Sequence, residues 1–281
     1  MREITYETIA ERLSEAIVRL NCVPDQGLME KYDQAIVQEE DERAREVLSI
    51  LRENALIAGE RMMPICQDTG TLVVFLRLGD QIRITGGSLI DAIYKGVEEG
   101  YRKGYLRKSI VDHPFRRQNT GTNLPPVIHT ELASGPVLEM VLMAKGAGSE
   151  NMSAISMMAP SQGIEGVKAF VLDTVRKAGP NPCPPVLVGV GIGGNFEGSA
   201  LLAKKALAKE LFRDIPEDPE IHALEEELTT ALNHLNIGPQ GFGGRVTTFG
   251  VQILTGPCHI ASMPVAVNIN CHVLRHSRLE F

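Results

Sequence analysis

The sequence predicts a mixed α/β (α+β) fold, with a helical N-terminal segment over residues 1–60 and a mixed-sheet part with flanking helices over 61–281. Two observations carry this. Apolar residues recur at helical spacing through the first 60 positions, and from residue 64 short β-like runs alternate with amphipathic stretches. With 281 residues, 43 % hydrophobic and 22 % charged, the chain has the composition of a globular protein with a sizeable core, and it reads as a single domain over 1–281.

Ile9, Leu13, Ile17 and Leu20 form one face of a first helix, which Pro24-Asp25 interrupts. Val47, Leu48, Leu51, Ala55 and Ala58 form a second apolar stripe, on a helix expected to end near Gly59. Strands are expected at 72–78, 128–133, 137–144, 186–192, 248–254 and 264–270, and helices at 88–103, 162–177, 199–212 and 219–235. Only Ser134-Gly135-Pro136 separates the second and third strand signals, so a hairpin is expected across 128–144, making the sheet mixed. The stretch 215–219 resembles a linker but is too short to separate domains.

A formal net charge of −7 disfavours non-specific nucleic-acid binding, and any anion site must be built locally. No apolar run approaches the roughly 20 residues of a membrane span. The charged first stretch lacks the apolar centre of a signal peptide, so the cytoplasm is the expected compartment.

The five cysteines, Cys22, Cys66, Cys183, Cys258 and Cys271, are odd in number, widely spaced and without a CxxC, which argues against a disulfide framework or a zinc ribbon. Cys66 precedes Gln67-Asp68-Thr69-Gly70-Thr71, Cys183 lies within Gly179-Pro180-Asn181-Pro182-Cys183-Pro184-Pro185, and Cys271 follows a strand signal. Pro- and Gly-rich loops aim a side chain at low entropic cost. Three such thiolates can hold three irons of a cubane and leave the fourth open; the competing reading is three small buried hydrophobes. Cys22 and Cys258 read as ordinary cysteines.

Asp68 is either a general acid or base beside Cys66 or the acceptor of an Asx turn. The turns Asn119-Thr120-Gly121-Thr122-Asn123 and Lys145-Gly146-Ala147-Gly148-Ser149 offer backbone N–H groups to a carboxylate. Gly189-Val190-Gly191-Ile192-Gly193-Gly194 matches GxGxxG after a strand, which allows a nucleotide-binding oxidoreductase; its structural alternative is a strand-to-helix turn needing close approach.

Taken in order, the Cys66–Thr71 segment, the Asn119 and Lys145 turns, Cys183-Pro184-Pro185, Gly241-Phe242-Gly243-Gly244, and Met263-Pro264-Val265-Ala266 leading to Cys271 resemble the N-terminal half of class I fumarases and the α subunit of tartrate dehydratases. The resemblance implies a [4Fe–4S] cluster on Cys66, Cys183 and Cys271 with one open iron, Asp68 as the catalytic group, and Gln67, Arg107, Gly148 and His259 as substrate-binding residues. It implies an oxygen-sensitive hydro-lyase that hydrates fumarate to (S)-malate, with L-tartrate dehydration as the alternative. It also implies a separate β subunit completing the site for a C4-dicarboxylate substrate, in an α2β2 assembly or a homodimer of α. Arg245 stands where family members often carry Lys, and His272-Val273-Leu274-Arg275 departs from the expected pattern.

Overall fold

A computed structural model of the chain describes residues 1–209 and 218–281. They form two compact units, neither of them one continuous stretch. The first comprises Met1–Pro24, Asn54–Ala147 and Arg275–Phe281; the second comprises Asp25–Glu53 and Gly148–Leu274. In chain order the elements are β1 (Arg2–Thr5), α1 (Tyr6–Cys22), α2 (Gln26–Gln38), α3 (Glu42–Arg61), β2 (Thr71–Gly79), β3 (Ile82–Thr85) and α4 (Leu89–Lys103). Then follow β4 (Val127–Ala133), β5 (Leu138–Lys145), α5 (Ala147–Glu150), β6 (Ala154–Met158), α6 (Gly163–Ala178) and β7 (Val186–Gly194). The last are α7 (Phe196–Ala206), α8 (Pro219–Asn233), β8 (Thr248–Cys258), β9 (Met263–Asn270) and β10 (His276–Glu280). The expected end of the 199–212 helix and most of the 215–219 stretch lie outside the described residues.

In the first unit, α1 starts where the Thr5 hydroxyl accepts the Thr8 N–H at 3.1 Å. Its stripe of Ile9, Leu13 and Ile17 shares one core with Ile93 and Val97 of α4 and with Leu72, Val74 and Leu142 of the sheet. Full burial of one such side chain contributes about 1.5–3 kcal/mol. The strand order is β10-β5-β2-β4, with β2 antiparallel to β5 and parallel to β4.

The hairpin expected across 128–144 therefore does not form, because β2 lies between the two strands. Leu72, Val73, Val74 and Leu76 are all buried, as befits one of the two interior strands of this sheet. The connection after β4 instead crosses the end of β2. Gly79 donates its N–H to Val137 O at 2.7 Å, and the Gly135 N–H binds Asp80 Oδ1 at 2.7 Å. Gly79 permits this crossing, since a Cβ there would lie 2.0 Å from Gly135 O.

β1, β6 and β10 carry too little apolar alternation to be read from sequence, and β3 alternates over only four residues, Ile82-Arg83-Ile84-Thr85. Among the described residues, β1 and β3 pair only with each other, in parallel. β10 (His276-Ser277-Arg278-Leu279-Glu280) is a strand only because β5 supplies an antiparallel partner.

In the second unit the strand order is β6-β9-β7-β8, with β7 parallel to β8 and antiparallel to β9. Val186, Val188 and Val190 of β7 share a core with Val171 of α6, Leu224 and Leu228 of α8, and Val265, Val267 and Ile269 of β9. Successive strand residues point to opposite faces, so Gly189 and Gly191 turn the other way, toward α7. A Cβ at Gly189 would lie 2.3 Å from Ala203 O, and one at Gly191 would lie 2.1 Å from Ser199 O. The glycine-rich run thus serves helix-to-strand contact, which is its structural reading. Among the described residues, no helix is long and apolar enough to cross a membrane.

Candidate active site

The turn carrying Asp68 lies in the first unit, between α3 and β2. Asp68 Oδ1 accepts the Gly70 N–H at 3.0 Å, closing an Asx turn, and Oδ2 accepts the Ala147 N–H at 2.9 Å. The turn rests on the end of β5, so closely that a Cβ at Gly70, whose φ is +74°, would lie 2.7 Å from Lys145 O. The buried Tyr101 hydroxyl donates to Thr69 O at 3.0 Å and Gly70 O at 2.9 Å. Burial pushes that phenol's pKa above its usual range; the Arg275 charge opposes this shift and the Asp68 charge adds to it. Asn123 Nδ2 also donates to Gly70 O, at 3.2 Å.

Cys66 is half-buried and Gln67 is exposed, and the Cys66 thiol donates to Gln67 Oε1 at 3.2 Å. Arg107 is exposed, and its backbone is fastened to the same turn because Thr69 Oγ1 donates to Arg107 O at 3.0 Å. The Asn119–Asn123 turn supplies the rest of that fastening. Asn119 Nδ2 donates to Lys108 O at 2.9 Å, and Asn123 Oδ1 accepts the Ser109 N–H at 2.6 Å. In this chain its side chains hold the Lys108-Ser109 backbone.

The second unit carries the other two candidate ligands. Cys183 is exposed and sits at φ +56°, a left-handed conformation that costs a non-glycine residue about 1–2 kcal/mol. Its N–H binds Pro180 O at 3.0 Å, and its carbonyl accepts the His272 N–H at 3.2 Å. That last bond joins the Cys183 loop to the residue after Cys271. Gln240 adds a clamp, donating both N and Nε2 to Pro184 O at 2.8 Å. Cys271 is half-buried, and Asn270 Nδ2 fixes its carbonyl at 3.1 Å.

Gly148 is exposed, and a Cβ there would meet only Asn181 O, at 3.8 Å, so packing within the unit does not demand glycine. His259 is exposed in the turn after β8. Its Nδ1 accepts the Ala261 N–H at 3.1 Å, which assigns the proton of a neutral ring to Nε2 and leaves that nitrogen a donor. Arg245 pairs with Glu40 at 2.8 Å.

None of the five cysteines is in a disulfide. Cys22 is fully buried, and burial raises its thiol pKa, as for an inert core cysteine. Cys258 is exposed and is the last residue of β8, whereas Cys66, Cys183 and Cys271 all lie in loops. Among the described residues no group of three or more His, Cys, Asp or Glu is placed to hold a metal ion. A cubane takes its cysteine thiolates on separate irons. In kind the donor set fits such a cluster: three loop thiols outside disulfides, Cys183 exposed and Cys66 and Cys271 half-buried.

Sequence reading missed Arg275, Tyr101 and Gln240. Tyr101 reads as a helix-face aromatic, Gln240 has no motif, and Arg275 follows the last cysteine where a surface cation is the ordinary expectation.

The profile of the fumarate hydratase (Fumerase) family matches residues 10–280, so the chain belongs to that family and is a hydro-lyase. Among its relatives is a Methanocaldococcus jannaschii protein provisionally named L(+)-tartrate dehydratase subunit alpha. The two are 39 % identical over 271 residues, covering 94 % of this chain and 93 % of the relative. The L(+)-tartrate dehydratase subunit alpha of Escherichia coli K12 is 30 % identical over 287 residues, covering 99 % of this chain and 94 % of the relative.

Proposed function

We propose that the chain is the α subunit of an iron–sulfur hydro-lyase that acts on a C4 dicarboxylate, adding water to fumarate to give (S)-malate, or removing it from L-tartrate. The observation that carries the ligand assignment is the 3.2 Å bond from His272 N to Cys183 O, which ties together two of the three candidate cysteine loops. Cys66 is the third ligand, adjoining the Asp68 turn. When bound, a [4Fe–4S] cluster with one iron free of cysteine supplies a Lewis acid for the hydroxyl that leaves or adds.

The chain's own residues do the rest. Arg107 binds a substrate carboxylate through its guanidinium. His259 donates from Nε2, Gly148 offers its N–H, and Gln67 offers its amide. Asp68 carries the proton exchanged with substrate. Each of its oxygens already accepts one backbone N–H, and a carboxylate has about four lone-pair sites, so capacity for a proton remains. A cytoplasmic β subunit completes the site, a reading supported by the "subunit alpha" in the relatives' names. Those names also favour tartrate over fumarate.

The test is anaerobic purification with and without a co-purifying β subunit, followed by iron and sulfide analysis and assays on fumarate, (S)-malate and L-tartrate. About four irons and four sulfides per chain are expected, lost in Cys66→Ser, Cys183→Ser or Cys271→Ser and lost with activity in air. Asp68→Asn should retain iron and lose turnover. A chain that binds no iron under any reconstitution refutes the cluster, and a fully active Asp68→Asn removes that residue from the reaction. The faster of the two dehydrations decides the substrate.

A further inference from the structure

We propose that Arg275 is the positioning residue of Asp68: its guanidinium, buried in the first unit, holds the 68–70 turn so that the carboxylate stays seated on the Gly70 and Ala147 amides. The inference deepens the reading above and rests on it for the role of Asp68.

Arg275 is only 2 % exposed. Its Nη1 donates to Asp68 O at 2.7 Å and to Asn21 Oδ1 at 3.2 Å, while among the described residues its buried Nε makes no hydrogen bond. A buried guanidinium is costly unless a counter-charge and acceptors meet it. The nearest structural sign of that counter-charge is Gly146. A Cβ there would lie 3.0 Å from Asp68 Oδ2 and 3.6 Å from Arg275 Nη2, so carboxylate and guanidinium approach the same glycine. The two charges also act together, with opposite sign, on the Tyr101 hydroxyl. Asn21, in the last turn of α1, brings the negative end of that helix to the cation.

Asn21 is itself fully buried and pinned, with Nδ2 donating to Ile17 O at 2.9 Å. Its backbone carbonyl accepts the Ile65 N–H at 2.9 Å, one residue before Cys66. The end of α1 thus braces both ends of the Ile65–Asp68 stretch, directly at Ile65 and through Arg275 at Asp68. A lysine keeps the charge but lacks the planar guanidinium, whose Nη1 meets Asp68 O and Asn21 Oδ1 while Nη2 lies toward Gly146.

The experiment compares Arg275→Lys with the wild-type full chain and with Arg278→Lys, a substitution at an exposed cation that pairs with Glu139. Amide hydrogen exchange at Gly70 and Ala147 is read in the iron-free chain. Turnover and iron content are read in the loaded enzyme. Arg275→Lys is expected to speed exchange at both amides about tenfold or more. It should leave Val97 protected and iron binding intact, and lower kcat about 100-fold with little change in KM. Arg278→Lys should do none of this. Unchanged exchange at Gly70 and Ala147 overturns the brace, and a raised KM with kcat intact overturns the positioning role.

Should Arg275→Lys fail to fold, Gly146→Ala disturbs the same carboxylate with Arg275 in place. Faster Ala147 exchange there supports the seat, and unchanged exchange overturns it. An Asp68→Asn variant that stays fully active while Arg275→Lys speeds exchange overturns the catalytic reading of Asp68 and leaves the brace standing.

Discussion

The Asp68 turn of the first unit and the Cys183 loop of the second are both held rigid, by opposite means. Side chains drawn from distant elements hold the first: Arg275 grips Asp68 O, while Tyr101 and Asn123 share Gly70 O. The second is held mainly by backbone. Pro180 O takes the Cys183 N–H, Pro184 O takes the Gln240 N–H, and Cys183 O takes the His272 N–H. Gly241 lies so close that a Cβ there would sit 2.4 Å from Pro180 Cβ. A turn braced by side chains can be loosened one group at a time. A loop pre-set by proline and glycine has little conformational entropy left to lose, and it fails when volume is added.

Gly241→Ala should therefore have the largest effect. It adds a methyl onto Pro180 and forces alanine to φ +80°, so stability should fall by about 3 kcal/mol or more in urea unfolding. Glu39→Gln should come next. This 1 % exposed carboxylate accepts the Glu40 and Asp41 N–H groups at Oε1 and those of Arg245 and Val246 at Oε2. An amide nitrogen in place of either oxygen faces two N–H donors, and the loss should be about 2–3 kcal/mol by the same measurement.

Tyr101→Phe removes one donor from two carbonyls and should cost about 1–2 kcal/mol at neutral pH. It should also change the alkaline limb. Burial raises the folded-state pKa of Tyr101 above the ordinary 10.0, so the folded chain keeps a proton that the unfolded chain releases. This stabilising term is full below pH 10.0 and declines as pH rises beyond it; the phenylalanine variant should lose less stability between neutral pH and that range. Gly148→Ala should have the smallest effect on the fold, within about 0.5 kcal/mol, because only Asn181 O lies near, at 3.8 Å. If Gly148 lends its N–H to substrate, the same variant raises KM while its thermal melt is unchanged.

Much of the fold was legible because strand and helix periods are properties of a few consecutive residues. Val186, Val188 and Val190 announce β7 by alternation, and the same alternation turns Gly189 and Gly191 toward α7, so a nucleotide-like motif is a by-product of packing. The polar strands were not legible. The helical stretch 1–60, continuous in sequence, is divided between the two units, with Met1–Pro24 in one and Asp25–Glu53 in the other.

By itself the sequence determined most of the helices, the principal strands, the family and the candidate set of Cys66, Asp68, Cys183 and Cys271, because each depends on local period or on an ordered set of short motifs. Only the tertiary structure decided that β2 lies between β4 and β5, and that Arg275 is buried against Asp68 and Asn21. Strand neighbours and the burial of a charge are settled by residues far apart in the chain. Whether a buried guanidinium is tolerable depends on which acceptors the fold brings to it.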